Sequence, residues 1–201
     1  NASWLTEKID GFGLEASSEP FEFNRLNIRE AGLEVEGLNI CGIPLFDCTY
    51  TDSVGMLGTA GEIGSNADIG VAAVTNAHPV SSDYELNIPK LNVKDLDHQR
   101  ESGTHKAIVV VSDLGFLSDE PGLLNAPSFL HPFGPPVVQI SIKDWFRIKD
   151  SFEMGRSFRV FANCNRIESK ARNVSVTIQG TDPHLPPLIV MTPRSGWWAC
   201  T

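Results

Sequence analysis

The sequence predicts an α+β fold that is rich in strands, with a βαβ-like unit in the middle of the chain. Residues 107–111 (Ala-Ile-Val-Val-Val) and 137–141 (Val-Val-Gln-Ile-Ser) are short apolar runs, a pattern typical of strands covered on both faces. Residues 142–154 follow the second run and carry apolar side chains at helical spacing. With 41% hydrophobic and 20% charged residues in 201, the chain has the composition of an ordinary globular protein.

The beginning of the chain predicts a helix followed by short strands. Residues 3–13 fit an amphipathic helix that starts at the N-cap Ser3, ends at Gly11 or Gly13, and has an apolar face of Leu5, Ile9 and Phe12. Residues 21–23 and 33–35 alternate between apolar and polar side chains, which indicates strands.

Residues 40–51 are rich in strand-forming side chains, but Gly42 and Pro44 restrict them to a sheet edge or a bend. The glycines from residue 55 to residue 64 indicate turns. This stretch lacks the Lys-Ser/Thr of a phosphate-binding loop. Residues 68–74 alternate as a strand, and residues 93–101 favour a helix.

The end of the chain predicts three more strands. Residues 158–161 follow the helix of residues 142–154, and residues 171–180 alternate up to Gly180. Residues 187–191 are a continuous apolar run, which predicts a strand buried on both faces. The start at Asn1 predicts a processed product or a cloned fragment, and the end just after this run favours truncation.

Charge and hydropathy exclude two classes of partner. The formal charge of −9 and the lack of any basic cluster argue against nucleic-acid binding through phosphates. No apolar run approaches the roughly 20 residues that span a bilayer. The sequence therefore predicts a soluble protein, and it does not distinguish an extracellular from a cytoplasmic location.

Neither the cysteines nor the histidines are spaced as metal ligands. Four cysteines occur without a CxxC pair, and free buried thiols are favoured over one or two disulfides. No two histidines form an H-x-H or H-x₃-H pair, so the prediction is that no metal site lies in this chain. Ser128 and His131 are close in sequence, but no orienting carboxylate accompanies them, and no catalytic residue is predicted.

A long irregular segment separates the two apolar strands. Residues 112–136 show no periodicity, contain a cluster of prolines, and are unusually apolar for a loop. Such a segment either packs against its own domain or presents a binding surface. The adjacent Trp197 and Trp198 also either pack in a core or contribute to a binding surface. In an extended segment their side chains point to opposite sides, so one of them is expected to be exposed. The candidate interaction surface comprises Phe116, Leu123, Asn125, Phe129, His131, Phe133, Trp197 and Trp198.

The order of these elements resembles the protease-associated domain, a β-rich module inserted near the start of many zinc aminopeptidases. The resemblance is carried by residues 55–165, including Gly-Thr-His-Lys-Ala-Ile-Val-Val-Val at 103–111 and Gly-Pro-Pro-Val-Val-Gln-Ile-Ser at 134–141. It implies an open barrel or sandwich with a βαβ-like unit. Residues 171–191 resemble the first two strands of the catalytic domain in metallopeptidase family 28, an aminopeptidase-like α/β domain.

One departure from that family concerns its metal. The family's second strand leads into His-x-Asp, which supplies ligands to two zinc ions, whereas this chain has Pro193-Arg194-Ser195. The resemblance therefore implies no cofactor in this chain, with zinc confined to a full-length parent. It divides the chain into residues 1–50 (lead-in helix and strands), residues 51–168 (protease-associated domain) and residues 169–201 (first strands of a truncated peptidase-like domain).

Two functions follow from the resemblance. In the first, the chain is a non-catalytic module that covers the active-site mouth of a zinc-aminopeptidase-like parent and binds a peptide, a protein or the parent's own peptidase-like domain. In the second, it is a fragment of an active metallohydrolase of peptide or amide bonds, whose catalytic residues lie beyond Thr201.

Overall fold

The computed structural model describes residues 2–75, 85–112, 121–182 and 184–192. Contacts divide the chain into two compact units, one of Leu26–Asn165 and one of Asn1–Arg25 with Arg166–Thr201. The described elements are, in chain order, α1 (Ala2–Asp10), β1 (Ala16–Val35), β2 (Leu38–Cys41), β3 (Ile43–Pro44), β4 (Met56–Glu62), β5 (Ile69–Thr75), β6 (Lys90–Asn92), α2 (Val93–Ser102), β7 (Ala107–Ser112), β8 (Val137–Ser141), α3 (Ile142–Glu153) and β9 (Ser157–Val176).

The strands form one mixed sheet in the order β2-β1-β9-β4-β5-β7-β8-β3, with β6 also paired to β5. The neighbours β4, β5, β7 and β8 run parallel to one another. The outer pairs β2–β1 and β3–β8, and the pair β9–β4, are antiparallel. The two apolar runs at residues 107–111 and 137–141 are neighbouring strands of this sheet, since Ile108 lies opposite Val137 and Val111 opposite Ile140.

The two ends of the sheet meet at Gly42. This residue alone separates β2, at one end of the strand order, from β3, at the other. Its amide donates to the carbonyl of Ala31 in β1 at 3.1 Å, and a Cβ added to it would lie 2.5 Å from Val138 Cγ1 in β8. A side chain therefore has no room at position 42, between β1 and β8. The edge position predicted from Gly42 and Pro44 is confirmed.

Strands β5, β7 and β8 are buried on both faces because a helix covers each side. On one face, Val109 and Val111 belong to the same cluster as Trp145 and Ile148 of α3. On the other face, Ile108 and Val110 cluster with Leu96 of α2. Every side chain of β7 and β8 is buried, which is why both strands appear in the sequence as apolar runs rather than alternating ones.

Both helices begin with a side-chain cap. The Oδ1 atom of Asn92 accepts from the amide of Asp95 at 3.0 Å, and the Oγ atom of Ser141 accepts from the amide of Asp144 at 3.1 Å. Gly103 ends α2 with a φ of 65°. Both predicted helices are confirmed, and α3 ends at Glu153, one residue before the predicted end.

The glycine-rich stretch from residue 55 to residue 64 is not a series of turns, because most of it is strand β4. Gly58 has no room for a Cβ beside the side chain of Asp68, and a Cβ on Gly61 would lie 2.8 Å from Ala67 Cβ. The glycines therefore permit a close approach to the segment that leads into β5. The turn interpretation was wrong because glycine also occurs in strands where another segment approaches closely.

Strand β9 joins two segments that the sequence predicts separately. Residues 158–161 and the first part of residues 171–180 belong to one strand of 20 residues, which ends at Val176 instead of Gly180. In the Leu26–Asn165 unit, its inward residues Phe158 and Val160 are fully buried. In the other unit none of the residues of β9 is buried. The alternating apolar side chains of this part of the strand therefore do not form a buried face.

The unit of Asn1–Arg25 and Arg166–Thr201 contains α1 and the outer halves of β1 and β9. The predicted strand at residues 21–23 is confirmed as part of β1, and the rings of Phe21 and Phe23 lie 5.9 Å apart. The predicted helix is confirmed as α1, but it begins at Ala2, so the predicted cap at Ser3 was wrong. Leu5 and Ile9 of the predicted apolar face are half-buried. Phe12 is 81% exposed.

The predicted buried strand at residues 187–191 was also wrong. The described residues 184–192 contain no strand, and Leu188 and Met191 are each about nine-tenths exposed. A strand of this kind needs hydrogen-bonding neighbours and cover on both faces. Pro186 and Pro187 have no amide hydrogen to offer to a neighbour. Trp197, Trp198 and the Pro193-Arg194-Ser195 segment lie outside the described residues.

Within the described ranges, no helix has both the length and the apolar character needed to cross a bilayer. The predicted domain boundaries at residues 50 and 168 stay a prediction.

Candidate interaction site at residues 121–136

The described part of the long segment, residues 121–136, is called the proline-rich loop below. It contains five prolines and no aspartate, glutamate, lysine or arginine, in a chain whose formal charge is −9. It has no helix or strand, and a hydrogen-bonded turn spans its centre. In that turn the amide of Phe129 donates to Ala126 O at 3.3 Å, and the amide of His131 donates to Ser128 O at 2.8 Å.

The first part of the loop is fixed to strand β8. Leu124 is buried in the cluster that includes Leu96 of α2 and Val137 of β8. Its amide donates to Gln139 Oε1 at 2.7 Å, and Gln139 Nε2 donates to Pro44 O at 3.4 Å. Gln139 is itself buried, so its side-chain amide satisfies backbone groups that would otherwise lack a partner.

A buried ion pair fixes the second part of the loop. Arg100 of α2 and Asp47, which follows β3, are 2% and 0% exposed. Arg100 Nη2 donates to Asp47 Oδ1 and to Asp47 O, both at 2.9 Å. The same nitrogen donates to Phe133 O at 3.1 Å, while Nη1 donates to Asp97 Oδ1 at 2.9 Å. A single guanidinium therefore joins the helix, the segment after β3 and the loop.

Asp47 also accepts two bonds from the loop itself. Its Oδ2 atom accepts from the amide of Ser128 at 3.2 Å, and its backbone carbonyl accepts from the amide of Phe133 at 3.0 Å. Nearby, Thr49 Oγ1 donates to Gly134 O at 2.8 Å. The carboxylate is thus shared between the arginine and the loop backbone, which compensates for its complete burial.

Aromatic stacking completes this contact. The guanidinium carbon of Arg100 lies 3.7 Å from the centre of the Phe133 ring. The next residue, Gly134, has a φ of 67°, and a Cβ on it would lie 2.8 Å from Arg100 Cβ. Any larger residue at position 134 would be strained by its backbone angle and would displace the arginine.

The predicted surface residues have different environments. Asn125 and His131 are exposed, whereas Leu123, Phe129 and Phe133 are half-buried. Leu130, which the prediction omitted, is 79% exposed. Phe116, Trp197 and Trp198 lie outside the described residues. The role of this set as a contact surface stays a prediction.

Sequence reasoning missed the Asp47–Arg100 pair. In the sequence, Asp47 does not differ from the other aspartates of turn-like segments, and Arg100 is not among the predicted site residues. A signal for Arg100 was present, because it is four residues after Leu96 and therefore shares the buried face of α2. A charged residue on the apolar face of a helix indicates a buried partner. The sequence did not indicate which acid would be that partner.

Other titratable groups of the described ranges, His105 among them, lie outside the proline-rich loop. No group of three or more histidine, cysteine, aspartate or glutamate side chains there is arranged to hold a metal ion. His105 is buried, and its Nε2 accepts from the amide of Gly64 at 2.9 Å while its Nδ1 lies 2.8 Å from Ala67 O. Both ring nitrogens are therefore occupied by backbone groups of the segment between β4 and β5. The described residues do not fit a zinc site.

The buried thiols are poor nucleophiles. Burial raises the pKa of Cys48 from 9.0 to about 12 and that of Cys164 to about 11, so both thiols remain protonated at neutral pH. Cys41, Cys48 and Cys164 are free, which agrees with the predicted thiols except that Cys41 is exposed. Cys200 lies outside the described residues.

No protein-family model matches the sequence, and no curated protein matches it significantly. Solved structures do resemble the fold. The zinc aminopeptidase BSAP from Bacillus subtilis aligns with a TM-score of 0.59 and 12% identity over 91% of this chain and 41% of its own. A peptidase M28 precursor from Shewanella amazonensis aligns with a TM-score of 0.56 and 15% identity, over 86% of this chain and 43% of its own. An aminopeptidase from Aneurinibacillus sp. strain AM-1 aligns with a TM-score of 0.53 and 13% identity, over 91% of this chain and 43% of its own.

At these identities the similarity concerns the fold alone. The chain is a mixed α/β protein whose arrangement is similar to part of these peptidase structures. It spans about two fifths of the length of each of them.

Proposed function

We propose that the chain is a non-catalytic, protease-associated module of a zinc-aminopeptidase-like protein. In this role it covers the mouth of a peptidase-like domain, and the proline-rich loop contacts the peptides or protein segments that approach it. The observation that carries the proposal is the loop itself. It is uncharged, it is attached to the body of the module by buried polar contacts, and it keeps Asn125, Leu130 and His131 at the surface.

Two further observations support the proposal. The resemblance to aminopeptidase structures is to about two fifths of each, which fits a module beside a catalytic domain rather than a whole enzyme. The unit of Asn1–Arg25 and Arg166–Thr201 also leaves many apolar side chains exposed, as expected of a surface that packs on the parent's peptidase-like domain. They are Trp4, Phe12, Phe21, Phe23, Val176, Ile178, Leu185, Leu188, Ile189, Val190 and Met191.

Leu130→Ser is expected to weaken peptide binding without lowering the melting temperature. The side chain is exposed, so its loss removes contact area for a partner but little buried surface. Binding is measured by fluorescence anisotropy with a labelled set of short peptides that have free amino termini. Met154→Ser is the matched control, because Met154 is 67% exposed at the end of α3. Equal binding by wild type and Leu130→Ser, or no binding by either, would reject the loop as the contact surface.

The alternative, a fragment of an active metallohydrolase, predicts metal dependence. We expect the purified chain to hold less than one zinc per molecule after dialysis and to hydrolyse no aminoacyl-nitroanilide. The reason is that Pro193 and Ser195 cannot replace an imidazole and a carboxylate as ligands. Elemental analysis and a chromogenic assay with and without added zinc measure both quantities. One tightly held zinc with hydrolysis would favour the enzyme.

A further inference from the structure

We infer that Arg100 is the positioning residue of the proline-rich loop and that it holds the loop as a preformed surface rather than a lid. A partner then meets the exposed side chains of Asn125, Leu130 and His131, whereas Phe133 serves the internal structure. That a peptide or protein partner binds this surface rests on the proposed function. The role of Arg100 in fixing the loop is inferred from contacts within the chain alone.

The first step is the direction of the contacts made by Arg100. Its Nη2 atom reaches Asp47 at two oxygens and Phe133 at its carbonyl, all within 3.1 Å. A guanidinium is a planar fork whose donors have fixed directions. It therefore specifies both the distance and the orientation of the loop backbone relative to α2. A lysine ammonium could retain the charge but not this arrangement.

The turn and the residues that follow it depend on the same pair. Ser128 lies within the turn and Phe133 follows it, and each donates its amide to Asp47. Because Asp47 is held by Arg100, opening the loop at either position requires separating groups attached to a buried ion pair. That opening is expensive, since it leaves uncompensated charge in the interior.

Phe133 has a role inside the loop. Its ring lies against the guanidinium at 3.7 Å and is only half-buried, which would otherwise suggest a contact for a partner. Replacing it would remove the stacking and loosen the loop as a whole. Loss of binding in a Phe133 variant would therefore report loss of the preformed shape, and the exposed residues of the loop are the ones that test direct contact.

Stability alone does not account for the pair. A buried ion pair contributes little net stability compared with a well-packed apolar pair of the same volume. Arg100 Nε is in addition buried without a hydrogen-bond partner in the described part of the chain. What the pair provides, and an apolar pair would not, is directional donors that select one conformation of the loop.

The test is residue-resolved hydrogen exchange by NMR on the whole chain without ligand. In wild type we expect the amides of Ser128 and Phe133 to be protected to within about tenfold of Val110 in β7, as in a cooperative unit of the fold. Unprotected amides at Ser128 and Phe133 beside a protected Val110 would overturn the inference. This measurement needs no variant, so it stands even if a substituted chain fails to fold.

The variant Arg100→Lys should accelerate exchange at Ser128 and Phe133 by about tenfold or more while leaving Val110 nearly unchanged. Arg147→Lys is the matched control, because Arg147 also binds an aspartate three residues earlier, Asp144, but at the surface. It should change none of the three amides. Equal acceleration at the loop and in β7 would assign Arg100 to global stability and overturn the inference.

The same two measurements separate this inference from the proposed function. If the loop amides are protected but the chain binds no peptide, Arg100 positions the loop and the loop is not a recognition surface. Peptide binding by a chain whose loop amides are unprotected would do the reverse.

Discussion

Asp47→Ala will lower the free energy of unfolding by about 3–5 kcal/mol, because it leaves the guanidinium of Arg100 buried without its carboxylate. The substitution also removes the acceptor of the Ser128 amide. Asp47 is completely buried and Arg100 is 2% exposed, so water does not replace the lost partner without rearrangement of the loop. Denaturant unfolding followed by tryptophan fluorescence or circular dichroism measures the change.

Asp97→Ala is the internal control for that experiment. Asp97 binds the other terminal nitrogen of the same arginine at 2.9 Å, but its side chain is 33% exposed. Because water reaches Asp97, we expect its removal to cost less than that of Asp47, about 1 kcal/mol. The double variant Asp47→Ala with Arg100→Met should recover much of the loss, because it removes the unpaired charge. Similar losses for Asp47→Ala and Asp97→Ala would mean that the pair at Asp47 is effectively solvated.

The parallel core could be predicted from the sequence because burial on both faces leaves a simple signal. Strands β5, β7 and β8 consist almost entirely of aliphatic side chains, and each lies where a helix covers either face. Helix α3 was predictable from the helical spacing of its apolar side chains. In this part of the chain, local pattern and tertiary environment agree.

Strand β4 could not be predicted, because its glycines are needed only where another segment of the folded chain approaches the strand closely. Gly58 and Gly61 lie beside Asp68 and Ala67, and only the folded arrangement shows that contact. The same residues in isolation favour turns. The exposed run at residues 187–191 is the opposite case. Its pattern predicts a buried strand, but no described strand pairs with it.

The polar anchor of the loop could be predicted only in part. Arg100 shares a helix face with Leu96, which indicates a buried charge, whereas Asp47 lies among several aspartates with ordinary turn contexts. The two residues are 53 positions apart and meet only because α2 packs against the segment after β3. The prolines of the loop indicated stiffness but did not indicate which side chains the loop keeps inside.

Trp145→Ala will also cost about 3–5 kcal/mol, because it removes the largest fully buried side chain of the described core. Trp145 packs edge-on against Phe152, with ring centres 5.2 Å apart. Its Nε1 donates to Leu86 O at 3.0 Å, so alanine creates a cavity and also leaves a buried carbonyl without its donor. Trp145→Phe should separate the two effects, since it retains most of the apolar volume but not the hydrogen bond.

The neighbouring aromatics of α3 provide graded controls for this prediction. Phe152 is only half-buried, so Phe152→Ala should cost less than Trp145→Ala, and less than the full loss expected of a completely buried ring. Phe146 is 45% exposed, and Phe146→Ala should change the unfolding free energy least. The order Trp145, Phe152, Phe146 follows from the face that α3 turns to β7 and β8. Three equal losses in denaturant unfolding would contradict that orientation of the helix.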